Sequence, residues 1–277
     1  MTSSPASVAA YLAAYDDQLR GEPETRRAIH SEIDGPVFRV IHDGNTGFVS
    51  HRTLAGLTPT EIDAMVERTI AYFRDDTTVP SFEWKTRGHD QPADFCERLI
   101  AHGFQAEEPE TVMIGEARLL MDAPPVPDGV VLRRIGAGDV PRADLIKDLR
   151  QMFAMQAEVF GSSSPDGAEH YADMLLAYPD DIEAWVAEVD GVVVAAGRLE
   201  VVTGTQFASL WGGSVREEWR GQGIYRALTA ARARSAVAKG VTYLHSDSTE
   251  GSRPILARSG LIAVTTTTPY IWKRPSL

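Results

Sequence analysis

The chain has 277 residues, of which 43% are hydrophobic and 24% are charged, and this composition is typical of a folded protein with one large or two ordinary domains. Its formal net charge of -12 and the lack of a basic stripe argue against nucleic acid as a partner. The single cysteine, Cys96, excludes an intrachain disulfide and a thiolate cluster for zinc or iron–sulfur, and no segment has the apolar length of a membrane span. We therefore expect a cytoplasmic protein with no metal and no membrane partner.

The first half of the chain predicts short strands and amphipathic helices. Apolar residues recur at helical spacing over residues 7–20, and the turn residues 42–45 separate two strand-like runs, which predicts a hairpin. In chain order we then predict strands at 38–41 and 47–50, a helix over 58–74, a strand at 82–85, a helix over 90–102 and a strand at 112–114.

Residues 121–129 form the best linker in the sequence, because they combine three prolines with turn residues and show no apolar period. We place the domain boundary there. The predicted domains are 1–120 and 130–277, with the linker between them.

The second half predicts the order βααβββαβαββ. Asp139 is the predicted N-cap of its first helix, and Asp190-Gly191 is a hairpin turn signal, so antiparallel strands are expected. The predicted strands are 130–135, 184–189, 192–202, 207–215, 241–246, 261–264 and 269–272, and the predicted helices are 139–160, 167–177, 224–240 and 252–258.

The two halves carry an internal echo. At an offset of 157, the segment from Trp84 aligns without a gap with the segment from Val241, and Gly103 falls on Gly260. The shared feature is the order of strand, loop, helix, glycine stop and terminal strand. A period this long predicts duplicated domains rather than a solenoid.

A glycine-bearing loop between a strand and a helix gives the second half its chemistry. Gly221 and Gly223 allow a tight turn and a close approach of the backbone to a ligand, and the helix from Ile224 presents its positive end to an anion. The corresponding helix of the first half follows Thr58-Pro59 and has no closely spaced glycine pair, so we expect no phosphate site there.

Residues 215–228 resemble the acyl-CoA-binding signature of the GCN5-related N-acetyltransferase (GNAT) superfamily, whose pattern is Gln/Arg-x-x-Gly-x-Gly/Ala. Arg220 opens the pattern, Gly223 is its first glycine, and Tyr225 stands where Gly or Ala is usual. The resemblance extends over residues 130–272. It implies an α/β (α+β) fold of two GNAT-like domains, each a mixed, mostly antiparallel sheet flanked by helices, with a degenerate N-terminal copy.

The resemblance also implies acetyl-CoA as co-substrate and an amine acceptor, which attacks the thioester directly. It assigns cofactor binding to the strand end, the loop and the position of the family's frequent helix asparagine. These residues are Gly213, Ser214, Val215, Arg220, Gly221, Gln222, Gly223, Ile224, Tyr225, Arg226 and Thr249. The family's frequent tyrosine acid falls on Leu256, and this departure leaves the general acid unassigned.

Two side chains are candidates for the general base. Glu200 lies near the end of the strand before the cofactor strand, and His245 lies on the strand after the helix. A solvated charge and a structural histidine are the competing interpretations, so a catalytically silent acyl-CoA-binding or ligand-sensing module stays an alternative, as does a scaffold with a merely structural turn. The sequence leaves open the acceptor, the acyl length and whether the chain forms a homodimer.

Overall fold

The computed structural model describes residues 5–161 and 167–275. The chain divides into two compact units. The first consists of Met1–Val112, Asp247–Glu250 and Ala263–Leu277, and the second of Met113–Ser246 and Gly251–Ile262.

The helices and strands alternate as a mixed α/β chain. The helices are α1 (Pro5–Leu19), α2 (Pro59–Ala71), α3 (Phe95–Ala101), α4 (Arg142–Phe160), α5 (Gly167–Ala177), α6 (Ile224–Ala238) and α7 (Arg253–Ser259). The strands are β1 (His30–Asp34), β2 (Val37–His42), β3 (Thr46–His51), β4 (Ser81–Arg87), β5 (Gln105–Ala106), β6 (Glu110–Glu116), β7 (Val130–Arg134), β8 (Ile182–Val189), β9 (Val192–Val201), β10 (Phe207–Val215), β11 (Tyr243–Ser248) and β12 (Ile262–Lys273).

The first unit holds a sheet in the order β1-β2-β3-β4-β12, with β5 paired to β12. Only the β3–β4 pair is parallel among the registers in this unit. The core lies between the sheet and helices α2 and α3, where Phe73 stacks on Phe82 and Trp84 meets Phe95 edge to face. Alternation along β4 buries Phe82, Trp84 and Thr86 on one face, as expected for a strand with a period of two.

The second unit holds β11-β10-β9-β8-β7 in that order. The β10–β11 pair is parallel, because α6 forms the crossover between the two strands, and the remaining pairs are antiparallel. Helices α4 and α5 pack on one apolar cluster with β8 and β9, whereas α6 packs on another with β10 and α7.

Most predicted elements are confirmed, including the hairpin of β2 and β3, the helix α5 and the hairpin turn at Asp190-Gly191, where both residues have positive φ. The echo is confirmed as well, because α3 and α7 are both seven-residue helices that follow a strand and end at a glycine-bearing stop. The mixed, mostly antiparallel sheets flanked by helices agree with the predicted fold class.

Several details differ from the predictions, and the two-residue strand β5 was not predicted. Strand β1 was missed, because its polar sequence HSEID lies at a sheet edge where no apolar alternation is required. The N-cap of α4 is Pro141 rather than Asp139. Strand β11 begins two residues later than predicted, and the two final strands are one continuous strand, β12, since the β-branched run Thr265 to Thr268 keeps the backbone extended.

The compact units and the predicted domains place the end of the chain differently. Strand β12 pairs with β4 from Thr267↔Arg87 to Lys273↔Ser81, so the last residues of the chain belong to the first unit. The predicted bounds follow the duplicated sequence, whereas the compact units follow strand pairing. The division at 1–120 and 130–277 therefore stays a prediction about the duplicated segments.

Candidate functional site

A β-bulge opens the backbone of the second unit next to the glycine loop. Strand β10 pairs with β9 at Trp211↔Arg198 and again at Ser214↔Ala196, so that Gly212 and Gly213 lie opposite one residue, Gly197. The parallel pairing of β10 with β11 is registered from Phe207↔Tyr243 only to Ser209↔His245. Beyond that point the β10 edge provides backbone groups to which an extended ligand can add like a strand.

A short loop separates strand β10 from helix α6, and the N-terminus of this helix is uncapped. Gly223 is its N-cap in the left-handed region (φ 83°), no side chain caps the helix, and its first turn contains no acidic residue. Gly221 also has a positive φ of 76°. Several backbone N–H groups therefore lack a helical acceptor and lie at the positive end of the helix dipole, which suits a phosphate group.

Tyr225 and Gly213 form a large-to-small pair between helix and bulge. A Cβ atom built on Gly213 would lie 2.8 Å from the Tyr225 hydroxyl and 2.9 Å from its Cε2. Burial raises the pKa of this phenol, which therefore stays protonated at neutral pH. The tyrosine at a usually small position is thus accommodated because the facing strand residue has no side chain.

Two polar side chains fix the bulge from the side of α4. Gln156 Nε2 donates to the carbonyl oxygen of Gly212 at 2.6 Å, and Ser214 Oγ donates to the same oxygen at 3.3 Å. Gly212 has a φ of 58°, a conformation that side-chain-bearing residues rarely adopt. The carbonyl is thereby held away from the open strand edge.

A buried arginine supports the bulge from the side of α6. Arg232 donates to Leu228 O, Arg198 O and Thr229 Oγ1 at 3.1 to 3.3 Å, and its guanidinium lies against Gly197, where a Cβ would approach Nη1 to 2.6 Å. Burial lowers the pKa of this guanidinium. The bulge is therefore backed by a rigid polar contact.

The two predicted base candidates lie in one row across the sheet. Glu200 pairs with Ser209, and Ser209 pairs with His245, so the three side chains share one face. His245 Nδ1 lies 2.9 Å from Ser209 Oγ, and its ring meets Trp211 edge to face at 5.9 Å. The structure thus places Glu200 and His245 in one row across the sheet, two residue pairs before the last pair ahead of the bulge.

The predicted cofactor residues fall into two groups. Ile224 is buried in the core, whereas Arg220, Gln222 and Arg226 are exposed; Arg220 Nε donates to Val215 O at 3.2 Å and Gln222 Nε2 to Glu218 O at 3.0 Å. Thr249 is exposed after β11 and belongs to the first unit. Its role stays a prediction.

The position of the family's tyrosine acid is occupied by a core residue. Leu256 on α7 is 1% exposed and packs in the cluster with Leu244 and Leu261. No proton donor is present at that position.

The first unit fills the corresponding places with its own side chains. At the N-terminus of α2, the Glu61 carboxylate accepts from Thr58 N at 2.7 Å, and Glu61 N donates to Thr58 Oγ1, which is a capping box. Where β3 and β4 separate beyond Val49↔Trp84, buried Arg87 donates to Ser50 Oγ and forms an ion pair with Glu24. The N-terminus of α2 thus already holds the carboxylate of Glu61. The gap between β3 and β4 is filled by the side chain of Arg87.

Gln156, Ser209 and Arg198 were not predicted as site residues, and the bulge at Gly212 and Gly213 was not predicted either. The partners of that bulge come from distant helices and strands, and no local spacing identifies them.

Comparisons with known proteins agree with this fold. Residues 147–260 match the family model described as Acetyltransferase (GNAT) family. Residues 147–260 therefore resemble a GNAT domain, and a tandem GNAT protein is among the solved structures with a similar fold. No curated protein matches it.

Several solved structures are similar to the whole chain. A GCN5-related N-acetyltransferase from Kribbella flavida is 16% identical with a TM-score of 0.64, and the match covers 98% of this chain and 95% of that one. One from Sphaerobacter thermophilus is 17% identical with a TM-score of 0.63, covering 87% and 78%. A tandem GNAT protein from the clavulanic acid biosynthesis pathway is 14% identical with a TM-score of 0.60, covering 87% and 79%. At these identities the similarity shows the fold.

Among residues 5–161 and 167–275, no helix combines the length and the apolar character that crossing a membrane needs. No cluster of three or more His, Cys, Asp or Glu side chains suited to a metal ion occurs in the same part of the chain.

Proposed function

We propose that this chain is an N-acetyltransferase that moves an acetyl group from acetyl-CoA to an amine. The observation that carries the proposal is the succession of an open β10 edge, a bulge and an uncapped helix N-terminus within residues 209–226. The pantetheine arm would add along β10 as an extended strand, and the pyrophosphate would meet the N–H groups of Gly221 to Arg226.

The bulge supplies the electrostatic part of the proposed chemistry. Gln156 and Ser214 hold the Gly212 carbonyl, so the backbone N–H groups near Gly213 and Ser214 are positioned for the thioester oxygen. Charge that develops on this oxygen during attack is stabilised by donors that do not have to reorganise.

Glu200 and His245 are the proposed positions for accepting the proton of the amine. Both lie in the row of Ser209, two residue pairs before Trp211↔Arg198, which is the last pair ahead of the bulge, and the two side chains share one face with Ser209. A general base contributes about 10²- to 10⁴-fold to the rate, so replacing the active one by glutamine is expected to lower kcat by that order without changing acetyl-CoA affinity.

A catalytically silent acyl-CoA-binding module is the second candidate. Buried Leu256 favours it, because the usual phenolic acid is missing. Release of free thiol with a panel of amines distinguishes the two: sustained CoA release coupled to acetylated amine excludes the silent module, and stable acetyl-CoA binding without release excludes the enzyme.

The phosphate loop is tested by a charge change at Gly223. We expect Gly223→Asp to abolish acetyl-CoA binding in calorimetry, because its carboxylate competes for the helix end and repels the pyrophosphate. Gly223→Asn is the matched variant, since asparagine tolerates the same left-handed backbone without the charge.

Gly138→Asp controls for the general effect of an added acid, because Gly138 has a φ of 90° and no atom within 4 Å of a built Cβ. Equal affinity of the Asp and Asn variants at Gly223 would contradict a pyrophosphate site in this loop.

A further inference from the structure

Arg198 is a cation whose hydrogen-bonding capacity the protein leaves unused. It lies on β9 and is half-buried. Its Nε atom is buried and has no hydrogen-bond partner. The guanidinium stacks over the Tyr171 ring with Cζ 5.3 Å from the ring centroid, and within residues 5–161 and 167–275 no carboxylate forms an ion pair with it.

Three other arginines of the same unit have protein partners. Arg133 is paired with Asp148 and Glu188, and Arg142 with Asp173. Buried Arg232 has no such carboxylate, but all three of its nitrogens donate to protein oxygens. A half-buried guanidinium with an orphaned Nε carries a desolvation cost that an anion bound to it would offset.

The position of Arg198 joins this cation to the proposed reaction site. Arg198 is the cross-strand partner of Trp211, immediately before the bulge. A Cβ built on Gly212 would lie 3.4 Å from Arg198 Nε and 2.8 Å from Gln156 Nε2, so the guanidinium lies beside the residue that carries the anchored carbonyl. The strand period also places Arg198 on the face of Glu200.

The chemistry of the guanidinium selects the anion. Its two Nη atoms form a planar fork that matches the two oxygens of a carboxylate, whereas the buried Nε is shielded by the protein. The proposed acetyl transfer sets a second condition, because the same molecule must carry an amine as the nucleophile. An amino acid, with one carboxylate and one ammonium group, meets both conditions.

We infer that the acceptor is a small amine carrying a carboxylate close to its amino group, and that Arg198 holds this carboxylate beside the bulge. The inference rests on the proposed function and names its substrate class. After the ammonium loses a proton, the amine nitrogen forms a bond to the thioester carbon. The carbon–sulfur bond then breaks with its electron pair on sulfur, giving an N-acetylated acid and, after protonation, CoA.

The test compares amino acids with their carboxamides, which keep the amine and remove the negative charge. Calorimetric binding to the full chain is measured for the twenty amino acids and their amides, followed by thiol release with acetyl-CoA. The α-amine of an amide has a pKa of about 8 and is the less basic amine of each pair. A larger fraction of it is uncharged at neutral pH, so intrinsic reactivity favours the amide. A preference for the acid therefore reports recognition of the carboxylate.

Three variants locate that preference. We expect Arg198→Met to raise KM for the preferred acids about tenfold to a hundredfold, as for loss of a charge-assisted bidentate contact, and to leave the amides within about twofold. Arg198→Lys should restore part of the preference, because it keeps the charge without the fork. Arg142→Met is the control with an exposed ion pair, and it should change neither substrate class.

The outcomes separate the inference from the function on which it rests. Equal use of acids and amides, absence of binding by every acid, or a preference that survives Arg198→Met each overturns the inference. Failure of acetyl-CoA to bind in a titration without acceptor overturns the proposed function instead, and the direct binding of amino acids still decides the role of Arg198.

Discussion

Single residues around the bulge account for the departure of this chain from the family pattern. Tyr225 occupies a position where the family has Gly or Ala, and Gly213 leaves the space that the ring needs. The bulge takes the Gly212 carbonyl out of the backbone hydrogen bonding between β9 and β10. Gln156 donates to this carbonyl in place of a strand partner. The bulky Tyr225 is therefore compensated by the missing side chain of Gly213, which it contacts.

The Tyr225–Gly213 pair predicts strong coupling between two substitutions. Gly213→Ala introduces a Cβ into the ring, and overpacking of this kind costs about 1–3 kcal/mol. We expect Gly213→Ala to lower the melting temperature and weaken acetyl-CoA binding, and Gly213→Ala combined with Tyr225→Ala to recover much of the loss. Additive effects of the two substitutions in thermal unfolding would contradict the contact.

Arg198 and Gln156 show why the candidate site was only partly predictable. The glycine loop, its helix and the strand before it follow from local signals at Gly221, Gly223 and Ile224. The bulge supports lie on other elements and reach it through side-chain direction and strand register. Neither carries a local sequence signal, so residues that fix the bulge are visible only in the folded chain.

At the scale of elements, helices α2 and α6 differ in what accepts the hydrogen bonds of their N-terminal backbone N–H groups. Helix α2 is closed by its own capping box and acid, whereas α6 leaves its first turn open. We expect no phosphate site at α2, because the glycine pair is missing and because the Glu61 carboxylate already holds the helix end.

The gap between β3 and β4 in the first unit is expected to depend on one buried ion pair. Burial raises the pKa of Glu24, but the charges of Arg87 and Lys85, together with the hydrogen bonds from Ser50 and Gly21, outweigh burial and lower the pKa below its ordinary value of 4.5. Because the pKa is lowered in the folded state, the pair stabilises the fold above about pH 4.5, and this stability is lost as the pH falls through the folded pKa.

Glu24→Gln tests this pair. It leaves buried Arg87 without its carboxylate, so we expect a loss of about 3–5 kcal/mol in the free energy of unfolding at pH 7. The difference from the wild type should shrink in denaturant titrations as the pH falls below 4.5. Glu24 then takes up a proton in the unfolded chain and, below its folded pKa, in the folded chain too. Glu67→Gln, at an exposed position of α2, is the control. A difference that does not depend on pH would exclude the ion pair as its source.

Elements with strong periodicity or clear turns were predictable, and polar or strongly extended ones were not. The hairpin turns at Asp43-Gly44-Asn45 and Asp190-Gly191 carry their φ preference in the sequence. Strand β1 carries no such signal, and its pairing with β2 depends on the neighbouring strand. The single strand β12 was divided because its central threonines interrupt the apolar pattern without interrupting the backbone.

At the scale of the whole molecule, the chain contains two related segments with different proposed roles. The duplicated order of strand, helix and terminal strand was visible at the offset of 157, whereas the membership of β12 in the first unit follows from its pairing with β4. A terminal strand can pair with any exposed strand edge of suitable register, so sequence alone does not specify its partner.

We therefore predict one acyl-CoA site for each chain. Hydrogen exchange of the backbone, followed by mass spectrometry with and without acetyl-CoA, tests this most directly. We expect protection over residues 209–228, where the bulge, the loop and the start of α6 lie, and no change over residues 46–61. Protection at residues 46–61 equal to that at the glycine loop, or no protection at the loop, would contradict the central claim.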